Sequence, residues 1–467
     1  MKKKHALLTA AVGALGMAGG GVAHAQQSTA PVAVPPPPPP SVTTAWVGGS
    51  ETREEDRRFH VNGRFQYDVA DTQADHCSAT GFQNSSPLTA TPCLDGVRSY
   101  ARRAFIGADG RLTNNWRYNV KFDISFGNVS GSNVQVKADD FYLEYAAQDW
   151  SLIIGNNNAV SPMEDRDSSL NIPFNERSFL ISASGVGKKP GIDFITNGGN
   201  WSWGVSLQSN DGLEVNNSAA NGTQSWFAAT RFTWAPFYEQ TPDGVELLHL
   251  GLYGRYRDNG DGAGNAINGL LNYNPGALST KSSNNAQVGA FDRDTFWDAE
   301  AAFQWNAFGA DAEYGQLDSH DSPLNATQIH NATATGYYLD VFWSPTGESR
   351  RYNASDGSFG AISPRRTLGS DGGIGHIMLS ARYEDLDLTA SGFRKSATDG
   401  GNANELTAYT LGVTWVPVSH VKFQLNYSHT KVNYADTTSD ELSAVAGVQP
   451  NQDNNINAVT FRTQFDW

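Results

Sequence analysis

The chain has 467 residues, with 33 Lys and Arg against 48 Asp and Glu for a formal charge of −15. A balance this acidic excludes nucleic-acid binding through the overall field. Mean hydropathy is −0.44 and no segment offers the roughly 20 consecutive apolar residues of a membrane helix, so a helical membrane protein is excluded, whereas a transmembrane barrel, half of whose strand residues face water, is not.

Met1–Ala25 opens with Lys2, Lys3 and Lys4, continues through an apolar stretch from Ala6 to Ala18, and ends on the small-residue site Ala23-His24-Ala25. It reads as a secretory signal peptide, too short in its apolar part to span a membrane. Cleavage after Ala25 would leave 30 basic against 48 acidic residues, a formal −18. Residues 26–58 follow as a periplasmic segment: six prolines, Pro35–Pro40, predict an extended polyproline rod, and Glu51–Arg58 is a charged run. A linker is the simplest reading of this stretch.

Cys77 and Cys93 lie within a polar stretch rich in Ser, Thr, Asn, Pro and Gly. Past the inner membrane, an oxidising compartment favours a disulfide that closes one surface loop, worth roughly 3 kcal/mol in the loop-entropy model. A metal site is the weaker alternative, because there is no CxxC and His76 alone cannot complete one.

From Phe59 onward, apolar and polar side chains alternate. Phe59, Val61, Phe65, Tyr67 and Val69 share one face, and His60, Asn62, Arg64, Gln66 and Asp68 the other. Trp116, Tyr118, Val120, Phe122, Ile124 and Phe126 alternate with Arg117, Asn119, Lys121, Asp123 and Ser125. Similar rows begin at Trp201, Trp297, Tyr337, Tyr409 and Val421, and the last row carries Val459, Phe461, Phe465 and Trp467. Period-2 rows with one apolar face are strands, and an apolar outside with a polar inside is what a wall between lipid and water demands. Short connections such as Asn114-Asn115, Ala147–Asp149 and Gly198-Gly199 alternate with long ones at Asp71–Val97, Asn156–Lys189, Asp258–Arg293 and Asn433–Asn454. The rows predict an all-β fold over residues 59–467, a transmembrane antiparallel barrel of about 16 strands with an aqueous channel. Two places resist the pattern. Ser344–Gly373 is long where a turn should be short, and the adjacent Arg102 and Arg103 cannot both face the lumen without a bulge or a rim position.

Several segments together resemble the phosphate-selective porins O and P of the bacterial outer membrane. They are Gly63-Arg64-Phe65-Gln66, Arg102–Gly107, Phe342–Tyr352 with Gly360 and Pro364, Ala381–Leu388, and Thr463–Trp467. The resemblance covers most of residues 59–467 and makes the Thr346-Gly347-Glu348 segment a family feature. It implies a homotrimeric porin of sixteen strands whose third long loop, here Asn156–Lys189, folds into the lumen as a constriction. It also implies arginine and lysine side chains lining a path for anions, for which guanidinium geometry suits phosphate oxygens.

The candidate pore-lining cations are Arg64, Arg117, Lys121, Arg231, Arg255 and Arg382 on the wall, with Arg257, Lys422 and Arg462 of the same parity, and Arg166 and Arg177 in the loop. Carboxylates share that face, among them Asp68, Asp123, Asp140, Glu144, Asp298, Glu300, Asp311, Glu313, Asp340, Glu384 and Asp466, and the loop itself sums to zero. Arg166 and Arg177 can therefore serve either as anion ligands or as braces against neighbouring acids. Lys188 and Lys189 read as rim charges, and Arg365 and Arg366 as structural. The expected function is an outer-membrane porin, a passive diffusion channel for small solutes, anions such as phosphate foremost, with outer-membrane lipid as its surroundings. The alternatives are a porin for another solute with weak or cation selectivity, or an exported all-β glycan-binding protein using its 12 Trp as platforms. No GxSxG, HExxH or phosphate loop occurs, so neither catalysis nor a cofactor is expected. His249, His376, His420 and His429 fall on or near strands and read as solvated or interfacial.

Overall fold

A computed structural model describes residues 57–74, 96–126, 134–210, 225–258, 269–272, 285–288, 293–320, 331–369, 372–387, 403–434 and 454–467. The predicted signal peptide, the proline segment and the predicted Cys77–Cys93 disulfide lie outside the described residues. Among the described residues, sixteen antiparallel strands close a barrel. In order they are Arg58–Ala74, Gly96–Arg111, Trp116–Phe126, Val134–Ala146, Trp150–Asn158, Lys188–Asn197, Trp201–Ser209, Trp226–Thr241, Gly244–Asp258, Arg293–Trp305, Phe308–His320, Asn331–Trp343, His376–Asp387, Ala403–Val418, Val421–Tyr434 and Asn454–Asp466. Each strand pairs with its sequence neighbours, and the first pairs with the last in the register Phe65 to Phe465. Closure removes the free edges that an open sheet would present.

The alternation read from the sequence holds around the wall. Val61, Phe122, Ile154, Leu207, Leu252, Leu339 and Leu411 point outward and are exposed, forming an apolar belt that water would not tolerate but lipid does. Aromatic contacts mark the girdles. Trp116, Tyr145, Trp150 and Phe194 follow one another at 5.1, 5.4 and 5.9 Å between ring centres at the short-turn end. Trp226–Tyr256 and Trp297–Tyr314 lie at the other end. These tryptophans belong to the outer wall, which is the arrangement of membrane girdles and not of glycan platforms.

The strands extend slightly past the predicted limits, so the third long connection is residues 159–187, not Asn156–Lys189. Two short helices lie in it, α1 (Met163–Arg166) and α2 (Phe179–Ser184). The irregular pair Arg102 and Arg103 is resolved by a bulge. The register with the first strand shifts between Gln66, opposite Arg103, and Tyr67, opposite Ala101, so that Arg102 has no partner residue.

Candidate functional site

The connection 159–187 folds into the barrel because its apolar side chains have nowhere else to be buried. Phe179, Leu180 and Ile181 of α2 pack on Phe227, Tyr253, Phe296, Leu317, Tyr338, Leu386 and Leu406, inward-facing residues of the eighth to fourteenth strands. Its backbone between the helices is irregular, so its carbonyls need donors from the wall. Lys422 Nζ donates to Leu170 O at 2.6 Å, Gln424 Nε2 to Ile172 O at 3.3 Å and Pro173 O at 3.2 Å, and Arg462 Nη1 to Asn175 O. Non-helical backbone is tolerated at membrane depth when wall side chains satisfy it in this way.

Glu176 is the strongest anchor. Arg102 holds both its oxygens at 2.8 Å, Arg462 Nη2 approaches at 2.7 Å and Arg103 Nη2 at 3.4 Å. Burial alone would raise this carboxyl, but Arg102, Arg103 and Arg462 outweigh it and hold Glu176 well below the usual carboxylate range. Arg382 makes a second anchor, reaching Asp340 at 2.7 Å through two nitrogens and Glu164 Oε1 at 2.5 Å, with its guanidinium 4.6 Å from the ring centre of Phe174. On the other side Arg231 grips Glu300 at 2.7 Å and donates to the carbonyls of Asp356 and Gly357, while Arg255 pairs with Asp294 at 3.2 Å and donates to Ser184 O at the end of α2.

A second segment enters from the short-turn end. Residues 344–369 rise into the lumen and meet α1. Phe359 N donates to Asp167 Oδ1 at 2.7 Å, and Arg166 Nη2 lies 3.3 Å from Asp356 Oδ2. Burial pushes the Asp167 carboxyl up to about 8, against Arg350 and the Phe359 N–H. The family-like Thr346-Gly347-Glu348 turn anchors the segment. Gly347 sits at φ +93, which favours glycine, while Glu348 takes hydrogen bonds from His376 at 3.2 Å and from Arg365 N at 2.8 Å.

The inward faces of the seventh to sixteenth strands are thus almost wholly buried, whereas those of the third and fourth strands and the start of the first remain half-exposed. The exposed part of the inner wall runs along these early strands. On it Arg64 lies 4.2 Å over the Phe105 ring and donates to Ser169 at 2.9 Å. Lys121 meets Asp140 at 2.8 Å, Lys188 meets Asp139 at 2.7 Å and Asp140 at 2.8 Å, and Arg117 stands 3.8 Å from Glu144. Arg177 donates to the carbonyls of Glu164, Asp165 and Asp167 at 2.9–3.1 Å and lies 3.5 Å from Asp165 Oδ1. In these pairs the cation is the more exposed partner: 46% against 17% for Arg117 and Glu144, 23% against 11% for Lys121 and Asp140, 29% against 14% for Lys188 and Asp139, and 25% against 15% for Arg177 and Asp165.

Comparison with known proteins decides what this barrel is. Residues 59–467 match the model of phosphate-selective porin O and P. The chain belongs to that family. Porin O of Pseudomonas aeruginosa is 24% identical over 419 residues, which cover 83% of this chain and 86% of that protein. A protein of Caulobacter vibrioides is 24% identical over 394 residues, covering 82% and 70%. Among solved structures, the anion-selective porin from Comamonas acidovorans superposes with a TM-score of 0.50 at 12% identity, covering 88% of this chain and all of that one. The protein is an outer-membrane porin.

The porin divides the predicted cations into two groups. Arg64, Arg117, Lys121, Arg166 and Arg177 keep exposed surface, whereas Arg231, Arg255 and Arg382 are buried where the loop meets the wall. Three expectations change. Lys188 is not a rim charge but turns inward to Asp139 and Asp140. His249 is fully buried between Tyr352 at 2.7 Å and Glu300 at 3.1 Å, and His376 is buried against Glu348. Sequence reasoning also passed over Glu176 as an anchor. The apolar run Phe179-Leu180-Ile181 inside an otherwise polar loop was the signal that could have located the docked segment.

Proposed function

We propose that the channel is anion-selective and passes phosphate or similar small anions along the early-strand side, with Arg64, Arg103, Lys121, Arg166, Arg177 and Lys188 as the cations a solute meets. The observation that carries this reading is the unequal exposure within four ion pairs, Arg117–Glu144, Lys121–Asp140, Lys188–Asp139 and Arg177–Asp165; Arg166 and Asp356, at 19% and 22%, depart from it. Carboxylates recessed behind their partners are screened by them, so the water-facing surface presents guanidinium and ammonium groups. Asp123 and Asp139 border the same passage and temper the preference. The family's description and the name of the Comamonas porin agree with an anion channel. Family membership also supports a homotrimer surrounded by outer-membrane lipid.

The test is the zero-current potential of the purified protein in a planar bilayer under a KCl gradient, repeated with added phosphate. Chloride preference with phosphate block is expected. Lys121→Gln together with Lys188→Gln should move the potential toward zero and weaken the block several-fold. A cation preference in the wild type, or a double variant with unchanged selectivity, would refute the reading.

A further inference from the structure

Between the docked loop and the late strands lies a small recess. Phe174, Asn175 and Phe179 of the loop line it on one side, and Thr410, Thr430 and Thr460 of the fourteenth, fifteenth and sixteenth strands on the other. All six side chains are buried, Asn175 and Thr430 at 1% exposure, which sets the recess apart from the exposed inner wall of the early strands.

Asn175 is fixed by its backbone. Arg462 Nη1 donates to its carbonyl, and its N–H donates to Asn426 Oδ1 at 3.1 Å in the amide orientation that satisfies Asn426 at both ends. The side chain is thereby held against the recess, yet neither Oδ1 nor Nδ2 has a hydrogen-bond partner among the described residues. A buried donor or acceptor left unmade costs more than an ordinary hydrogen bond gains, so buried amides are bonded to protein or to ordered water.

Charge and size decide between ligands. The ionic groups around the recess are already matched. Arg102 and Arg462 hold Glu176 at 2.8 and 2.7 Å, and Asp340 and Glu164 hold Arg382 at 2.7 and 2.5 Å. Glu384 accepts Phe179 N at 2.7 Å. A neutral ligand fits such a site. The recess measures about 30 Å³, and one water needs about 10–15 Å³, so it takes about two waters and nothing larger. The threonine hydroxyls both donate and accept, and with the Asn175 amide they supply the several polar partners that a buried water requires.

We propose that the recess is a hydration site, in which about two ordered waters bridge the Asn175 amide to the hydroxyls of Thr410, Thr430 and Thr460. The constriction loop then docks on the late strands partly through water, between its direct anchors at Glu176 and at Gln424.

The test is X-ray radiolytic footprinting of the detergent-purified porin, in which hydroxyl radicals formed from bound water oxidise the side chains beside it. Phe174 and Phe179 should be oxidised, whereas Phe227 and Phe359, equally buried but outside the recess, should not. Asn175→Leu keeps the side-chain volume and removes its hydrogen bonds. Oxidation of Phe174 and Phe179 should fall several-fold in this variant, with Leu112, exposed in a turn, unchanged, and the heat-modifiable gel shift should move to lower temperature. A dry recess predicts unoxidised Phe174 and a higher shift temperature for the variant, since an unpaired amide has been removed; either result would overturn the site. Equal oxidation in both proteins would overturn it too, because the radicals would then come from bulk water admitted by loop opening. If Asn175→Leu fails to fold, the wild type mixed into water labelled with oxygen-18 decides. Slow entry of the label into oxidised Phe174 supports bound water, and complete exchange within the mixing time overturns it.

Discussion

At the residue scale, the loop is held by charges whose worth depends on having partners. Removing one member of a buried ion network costs about 3–5 kcal/mol, because the others are left uncompensated. Glu176→Gln would leave Arg102, Arg103 and Arg462 facing one another. The expected outcome is a loop that undocks, read as larger and noisier single-channel conductance; a recording indistinguishable from the wild type would refute the anchor. The pH behaviour follows by linkage. Glu176 lies below its unfolded value, so its stabilisation is present at neutral pH and is lost only as pH falls through that low value. Asp167 has the opposite sign. Raised to about 8 when folded, it stabilises fully below its unfolded pKa of about 3.9, and that contribution declines as pH rises toward 8. Asp167→Asn should flatten this decline, seen as a smaller fall in the unfolding temperature between pH 4 and 8. Parallel curves for variant and wild type would show that Asp167 does not titrate there.

At the scale of elements, α2 is six residues long and owes its position to packing and not to intrinsic helix stability. Ser178 caps it through Ile181 N at 3.3 Å, and Leu180 is buried against the wall. Leu180→Ala should cost the dock about 2–5 kcal/mol, so conductance should rise and fluctuate while the outer barrel stays folded. Unchanged conductance would mean that the polar anchors suffice. The strands were legible in the sequence for a physical reason: lipid on one side and water on the other force alternation residue by residue, and Phe59 to Val69 or Trp116 to Phe126 reveal it with no knowledge of partners. The bulge at Arg102 was legible for the same reason, as a break in parity. The dock was not, because its contacts are remote. Tyr352 reaches His249 across 103 residues, and Arg462 reaches Glu176 across 286. A histidine read alone on a strand gives no hint of such a neighbour.

At the scale of the whole molecule, two inward segments fill one side of a barrel whose other side stays open. On the reading proposed above, the asymmetry turns a mixed inventory of charges into a passage where most paired cations stand in front of their acids. The cylinder itself depends on one seam. Gly63 and Trp467 exchange backbone hydrogen bonds at 3.2 and 3.1 Å, and a Cβ on Gly63 would fall 2.2 Å from the Trp467 ring. Gly63→Val should therefore lower the temperature of the heat-modifiable shift, and Trp467→Phe should recover part of the loss; a Gly63→Val protein as heat-resistant as the wild type would show that the ring moves aside freely. The seam also sets a schedule for assembly. Gln66 and Gln464 meet across 398 residues, so the cylinder cannot shut until its last strand arrives. Until then, two strand edges and an apolar outer face stand ready to join any neighbouring chain. Biogenesis of this porin is a race between zipping one seam and aggregating, and an escort that shields those edges in transit favours the seam.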